Sequence, residues 1–232
     1  MDDSIVKIES LRFQWSKNNN FKIFVPKLEV GRGKKVLFLG ESGSGKTTLL
    51  SLICGFLEPL SGSISINDKI ISNLTSTNKD AYRSDNIGII FQQFNLLPYA
   101  NVIDNIILPL YFSKQRSKKV ENKINAAMNL CDQLRLPESI LNQKASNLSV
   151  GQQQRVAVAR ALIGSPSIIV ADEPTSSLDT EAQELFLDLM FDQISKNSST
   201  LLMVSHDKSL TNYFDQVIDC LLYTSDAADE HG

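Results

Sequence analysis

The sequence predicts an α/β fold with a mostly parallel sheet, an N-terminal antiparallel β part and an inserted helical subdomain. Three observations carry this expectation. "KKVLFL", "SIIVAD" and "TLLMVS" are apolar runs of strand length, as strands buried on both faces require. Helical patterns alternate with these runs, which implies crossover connections and gathers ligands at the C-terminal ends of the strands. A helical stretch from about Phe94 to Ala145 interrupts the alternation and reads as the insert.

The elements follow in order. "SIVKIESLRF" and "FKIFVPKLEV" are β-rich runs separated by the polar turn "SKNNN". "KKVLFL" is followed by glycine and passes through a Gly-rich turn into the helix "KTTLLSLICGF". "GSISIN" and "NIGIIF" are further strands. Val120, Ile124, Ala127, Cys131 and Leu134 recur at helical spacing and mark an amphipathic helix. A helix opening with Gln152 leads into "SIIVAD", then the helix "TEAQELFLDLMFDQISK", then "TLLMVS".

With 232 residues, 42% of them hydrophobic and 21% charged, the chain has the composition of one large globular domain. The net charge of −3 provides no general field for nucleic acid, so no nucleic-acid partner is expected. "MDDSIVKIES" lacks the apolar core of a signal peptide, and no run of eighteen apolar residues occurs. Cys54, Cys131 and Cys220 are too scattered for a disulfide framework or zinc site, and the first two read as small buried hydrophobes. From Cys220 the tail "CLLYTSDAADE" resembles a translated transposase sequencing adapter. Residues 1–219 are therefore expected to form the domain, and 220–232 to be an artefact or a polar tail.

"GESGSGKTT" satisfies G-x-x-x-x-G-K-[ST] between a strand and a helix, which makes the fold a P-loop NTPase. Gly40, Gly43 and Gly45 let the backbone curl so that N–H groups converge on phosphate oxygens. Ser42, Ser44 and Thr48 complete the cradle, Lys46 supplies a point charge, and Thr47 offers a hard oxygen for Mg²⁺. "SIIVADEPTSSLD" delivers Asp172 to a strand end, where it can hold Mg²⁺ through water. Glu173 follows, pointing the other way by strand alternation, and can orient or deprotonate a water attacking the γ-phosphate. Asp179 suits a helix N-cap.

His206 in "MVSHD" ends another buried strand and is read as either structural or catalytic. Gln92, after "IGIIF", is a neutral ligand for Mg²⁺ and water at the entry to the insert. Trp15 is either core or a face for stacking adenine, with Phe13 as the substitute. In "LSVGQQQRVAVARAL", Ser149 and Gly151 head a helix and look built to hold a second anion.

These motifs together resemble the nucleotide-binding subunit of an ABC transporter over essentially all of Ile5 to Asp219. "GESGSGKT" is similar to the Walker A motif, "IIVADE" to Walker B with its catalytic glutamate, and "SSLD" to the D-loop that contains Asp179. Gln92 matches the Q-loop, His206 the switch histidine, Trp15 the adenine-stacking aromatic, and "LSVGQ" with Gln152 the signature motif. The resemblance implies ATP and Mg²⁺ as ligands and two subunits packed head to tail. Ser149 and the Gly151 N–H would then close over ATP held by a second copy. Val150, where the family most often has glycine, is expected to weaken that closure, whereas Glu41 in place of the usual proline matters little.

Such a subunit needs a membrane permease as partner and a peripheral place on the cytoplasmic face of the membrane. "FQQFNLLPYANVIDNIILPL" resembles the corresponding stretch in lipoprotein-release, macrolide-export and cell-division subunits, which implies export or mechanotransmission. Leu96, Leu97, Pro98 and Tyr99 are either a face for the permease or ordinary packing. "SKQRSKK" is read as a solvated helix start or a cluster near lipid headgroups. The alternative is a non-transport ABC ATPase acting on DNA or ribosomes. The interval from Gln92 to Ser149 has no sustained heptads and so argues against that class.

Overall fold

The computed structural model describes residues 3–15, 21–176, 178–220 and 224–225. The strands are β1 (Ser4–Gln14), β2 (Lys22–Gly31), β3 (Lys35–Leu39), β4 (Ser61–Ile66), β5 (Lys69–Ile70), β6 (Ile87–Ile90), β7 (Ile168–Asp172), β8 (Thr200–Ser205), β9 (Gln216–Asp219) and β10 (Thr224–Ser225). The helices are α1 (Lys46–Ile53), α2 (Ser76–Asn86), α3 (Val102–Ile107), α4 (Pro109–Phe112), α5 (Lys114–Lys118), α6 (Lys123–Gln133), α7 (Val150–Leu162) and α8 (Thr180–Lys196). The chain divides into two compact units, Met1–Arg83 with Leu202–Gly232, and Ser84–Leu201.

In the first unit an antiparallel sheet has the order β10-β2-β1-β4-β5. Ile8 faces Leu28 on one side and Ile64 on the other, and all three are buried, so the alternation of β1 feeds the core. β4 and β5 are joined by Asn67 and Asp68, at φ 47° and 61°, the two left-handed residues that a tight hairpin requires. The register of β1 against β4 shifts between Glu9 and Arg12, and Gly62 lies against that bulge. A Cβ on Gly62 would stand 2.4 Å from the Ser10 carbonyl oxygen, so only glycine fits. β3 pairs in parallel with β9, and Asp215 ties their entry by accepting from the Lys35 amide at 2.7 Å. The "SKNNN" turn lies outside the described residues except for the strands that flank it, and most of the tail from residue 221 does too. Cys220 itself is buried, and Thr224 pairs with Ile23.

In the second unit β6 and β7 run parallel, with Ile87 beside Ile168 and Ile90 beside Ala171. A Cβ on Gly88 would meet the Ala161 carbonyl oxygen at 2.1 Å, so glycine lets α7 lie directly on β6. α7 buries Val156, Ala157, Val158 and Ala159. β8 is buried along its whole length and returns the chain to the first unit.

The α6 stripe differs from the expected one. Asn122 caps the helix by accepting from the Asn125 amide, so Val120 precedes it. Ala127, Cys131 and Leu134 are buried, but Ile124 is 55% exposed. "SKQRSKK" is a helix start capped by Ser113, with Lys114, Gln115, Lys118 and Lys119 exposed as the solvated reading expects, but one residue departs from it. Arg116 is buried and donates to the carbonyl oxygens of Ala161 and Ile163, the C-terminal end of α7. Its guanidinium therefore completes a helix end whose carbonyls lack intrahelical partners.

Candidate functional site

The P-loop joins β3 to α1 in the first unit. Gly43 and Gly45 adopt φ of 86° and 85°, and Gly45 is the N-cap of α1. These left-handed glycines turn the loop tightly enough to present main-chain amides at the helix start. Lys46 is only 5% exposed, and its ammonium donates to the carbonyl oxygens of Gly40 and Glu41, each at 2.8 Å. Ser44 Oγ is buried without a hydrogen-bond partner among the described residues. A Cβ on Gly40 would collide with that hydroxyl at 2.5 Å. A buried orphan hydroxyl, a buried ammonium resting on main-chain carbonyls and a left-handed turn fit a polyphosphate group. Ser42, Gly43 and Thr47 are exposed, and Thr48 is half-buried.

His206 stands just beyond β8 and is exposed. The next residue, Asp207, is fixed by its amide on Ser205 Oγ and by accepting from the Ser209 amide. Trp15 follows β1, is 54% exposed, and meets Phe13 edge-to-face at 5.3 Å. Phe13 is 7% exposed and belongs to the core, so it does not serve as the substitute stacking face.

The remaining candidates lie in the second unit. Gln92 and Glu173 stand beyond the neighbouring C-terminal ends of β6 and β7, since Ile90 pairs with Ala171. Gln92 is exposed, and Asp172 and Glu173 are half-buried. Strand alternation does not aim Glu173. β7 ends at Asp172, and Glu173 takes φ of 43°, so its direction is set by a left-handed turn. That turn is closed by the Ser176 amide donating to the Glu173 carbonyl at 3.3 Å. Asp179 caps α8 by accepting from the Ala182 amide at 2.9 Å.

Ser149 is the N-cap of α7, and with Gln152 it forms a capping box. Its hydroxyl accepts from the Gln152 amide, and the Gln152 carboxamide oxygen accepts from the Ser149 amide at 3.0 Å. Gly151 has open space around it, and Val150 is exposed, so this helix end faces outward.

Two residues of α7 that the sequence reading passed over are buried and polar. Gln154 donates to the Pro174 carbonyl oxygen, and Arg160 donates to those of Phe94 and Asn95. Burial pulls the Arg160 guanidinium below its usual range and Arg116 down to about 10. The helical pattern held a signal for Gln154, since it occupies the first position of the stripe Gln154, Ala157, Val158 and Ala161.

Comparison with known proteins bears on this set of motifs. The family model described as ABC transporter matches residues 25–176. The lipoprotein-releasing system ATP-binding protein LolD of Bacteroides thetaiotaomicron is 37% identical over 194 residues, 82% of this chain and 86% of that protein. The macrolide export ATP-binding/permease protein MacB of Rhodopirellula baltica is 38% identical over 192 residues, 82% of this chain and 28% of that protein. A dimeric structure of the cassette MJ0796 in a post-hydrolysis state bound to ADP and Pi superposes with a TM-score of 0.77 and 29% identity, covering 95% of this chain and 98% of that one. MJ0796 comes from Methanocaldococcus jannaschii. The chain therefore belongs to the ABC transporter family as an ATP-binding, ATP-hydrolysing subunit.

Proposed function

We propose that two copies of the chain pair on ATP, complete each other's catalytic sites, and drive a separate membrane permease from the cytoplasmic face of the membrane. Among the described residues no helix is long and apolar enough to cross a membrane. Similarity to the lipoprotein-releasing and macrolide-export proteins supports export or mechanotransmission as the work performed.

In this reading Lys46 gives up the carbonyls of Gly40 and Glu41 for phosphate oxygens, and Ser44 Oγ gains its missing partner. Trp15 stacks the adenine. A bound Mg²⁺ would neutralise charge on the phosphates. Thr47, Gln92 and Asp172 are the residues to hold it, a hydroxyl, a carboxamide and a carboxylate suited to a hard cation that keeps water and phosphate ligands. Glu173 orients the attacking water and takes its proton, and His206 contacts the terminal phosphate. Ser149 Oγ and the Gly151 amide approach the phosphate held by the second copy, with Asp179 at the same junction. Terminal phosphate contacted from both sides favours the closed pair, and its release removes that advantage.

The permease is proposed to dock on residues 96–99. Tyr99 is 72% exposed, while Leu96 and Leu97 are half-buried. The observation that carries the catalytic reading is Glu173, a carboxylate held left-handed immediately past a buried strand, where strain concentrates at working residues. Glu173→Gln should cut hydrolysis by roughly 10²–10⁴ and trap an ATP-bound dimer on size exclusion. A variant that stays monomeric with ATP, or hydrolyses at the parent rate, would sink this assignment.

A further inference from the structure

The geometry points to Gln154 as a positioning residue for the reaction: its carboxamide holds the Pro174 carbonyl and thereby fixes the left-handed turn that aims the Glu173 carboxylate. This rests on Glu173 being the group that activates water.

Glu173 sits in a conformation that its own sequence disfavours twice. A left-handed φ is disfavoured for a residue with a Cβ, which crowds the neighbouring carbonyl oxygen. A residue before proline is also pushed toward extended backbone, and Pro174 follows Glu173. Such a conformation lasts only where the surroundings over-determine it. The turn's own closure, Ser176 amide to Glu173 carbonyl at 3.3 Å, is a long hydrogen bond. The Gln154 contact acts on the next peptide unit, at the carbonyl one residue beyond Glu173.

Gln154 is 1% exposed and lies on a helix face otherwise made of alanine and valine. A buried carboxamide is less favourable there than an apolar side chain of similar size unless its hydrogen bonds are used. Its Nε2 donates to Pro174, a carbonyl outside any helix or strand, so the polar group serves the turn. The same helix begins at Ser149 and Val150, five residues earlier. One helix links the surface that meets the second copy's nucleotide to the aim of this copy's base.

The test uses the full-length chain and two substitutions. Gln154→Met keeps length and burial but removes the donor. It should lower kcat by about tenfold to a hundredfold, the effect of misplacing a reacting group, while KM for ATP changes by less than about twofold. Gln154→Glu cannot donate while ionised but can when protonated, so its rate relative to the parent should be lowest near pH 8 and recover as the pH falls toward about 6. Parent-like kcat in Gln154→Met overturns the proposal. A parallel change in kcat, KM and melting temperature, without pH recovery in Gln154→Glu, also overturns it and makes Gln154 a packing residue. Glu173→Gln run alongside separates the two claims. If it hydrolyses ATP normally, the base assignment fails. If it is inactive while Gln154→Met is normal, only the positioning role fails.

Discussion

Arg160 reaches from α7 to the main chain just after the Q-loop, donating to the Asn95 carbonyl oxygen at 2.7 Å and to that of Phe94. Both acceptors are left-handed, at φ 47° and 59°, and Gln92 lies two residues before Phe94. One guanidinium thus holds two consecutive residues in a backbone region that side chains disfavour. Arg160→Ala should cost about 2–4 kcal/mol, because it removes two charge-assisted hydrogen bonds and takes this donor from the buried Phe94 carbonyl. Arg160→Lys should recover only part, since an ammonium cannot span both carbonyls as a planar fork does. Urea denaturation measures both, and a lysine variant as stable as the parent would show that the fork geometry is immaterial.

A second buried polar side chain organises the loop proposed to meet the permease. Asn105 is fully buried; its carboxamide oxygen accepts from the Leu97 amide at 2.8 Å, and its nitrogen donates to the carbonyls of Leu97 and Asn101. Asn105→Ala should cost about 2–3 kcal/mol by orphaning these groups. It should also release protection of the Leu97 amide in hydrogen exchange, because the local opening free energy falls with it. If Leu97 exchange is unchanged, the carboxamide does not hold the loop.

How far these features could be read in advance depended on whether a residue's neighbours in sequence were also its neighbours in space. α8 spans Thr180–Lys196 as read, because its cap Asp179 and its apolar stripe are both local. The P-loop is legible for the same reason, since its glycines act on their own backbone. Arg116 was invisible as a core residue, because what buries it is the carbonyl end of α7, 45 residues away. Glu173 shows the opposite limit. The residue was legible from "ADEP", but its direction depends on a turn and on Gln154, neither of which follows strand periodicity.

The buried thiols make a prediction about pH. Burial pushes Cys131 up to about 12; burial does the same to Cys220, with Asp219 adding to the rise and Lys46 opposing it. Both thiols start from an ordinary value of 9.0, so the folded state prefers them neutral more strongly than the unfolded state does. Their contribution is present in full below pH 9 and is lost as the pH rises toward about 12, because only the unfolded chain ionises readily in that window. The parent should therefore lose more stability between pH 8 and 10.5 than a Cys131→Ala, Cys220→Ala double variant. At pH 8 a thiol reagent should label these two positions only after unfolding. Rapid labelling of the native protein would contradict the burial.

Ser149 carries two demands that substitution can separate. As N-cap of α7 it accepts from the Gln152 amide, and under the paired-subunit reading the same hydroxyl is offered to the second copy's phosphate. Ser149→Ala loses both and should cost about 1 kcal/mol of stability. Asparagine is an equally good cap, so Ser149→Asn should retain stability, but its bulkier carboxamide replaces the small hydroxyl at the junction. In a Glu173→Gln background both variants should therefore lose ATP-dependent dimers on size exclusion, while only the alanine variant melts earlier. If the asparagine variant dimerises as well as its parent, the hydroxyl's work ends at the helix cap, and contact with the phosphate falls to the main-chain amides alone.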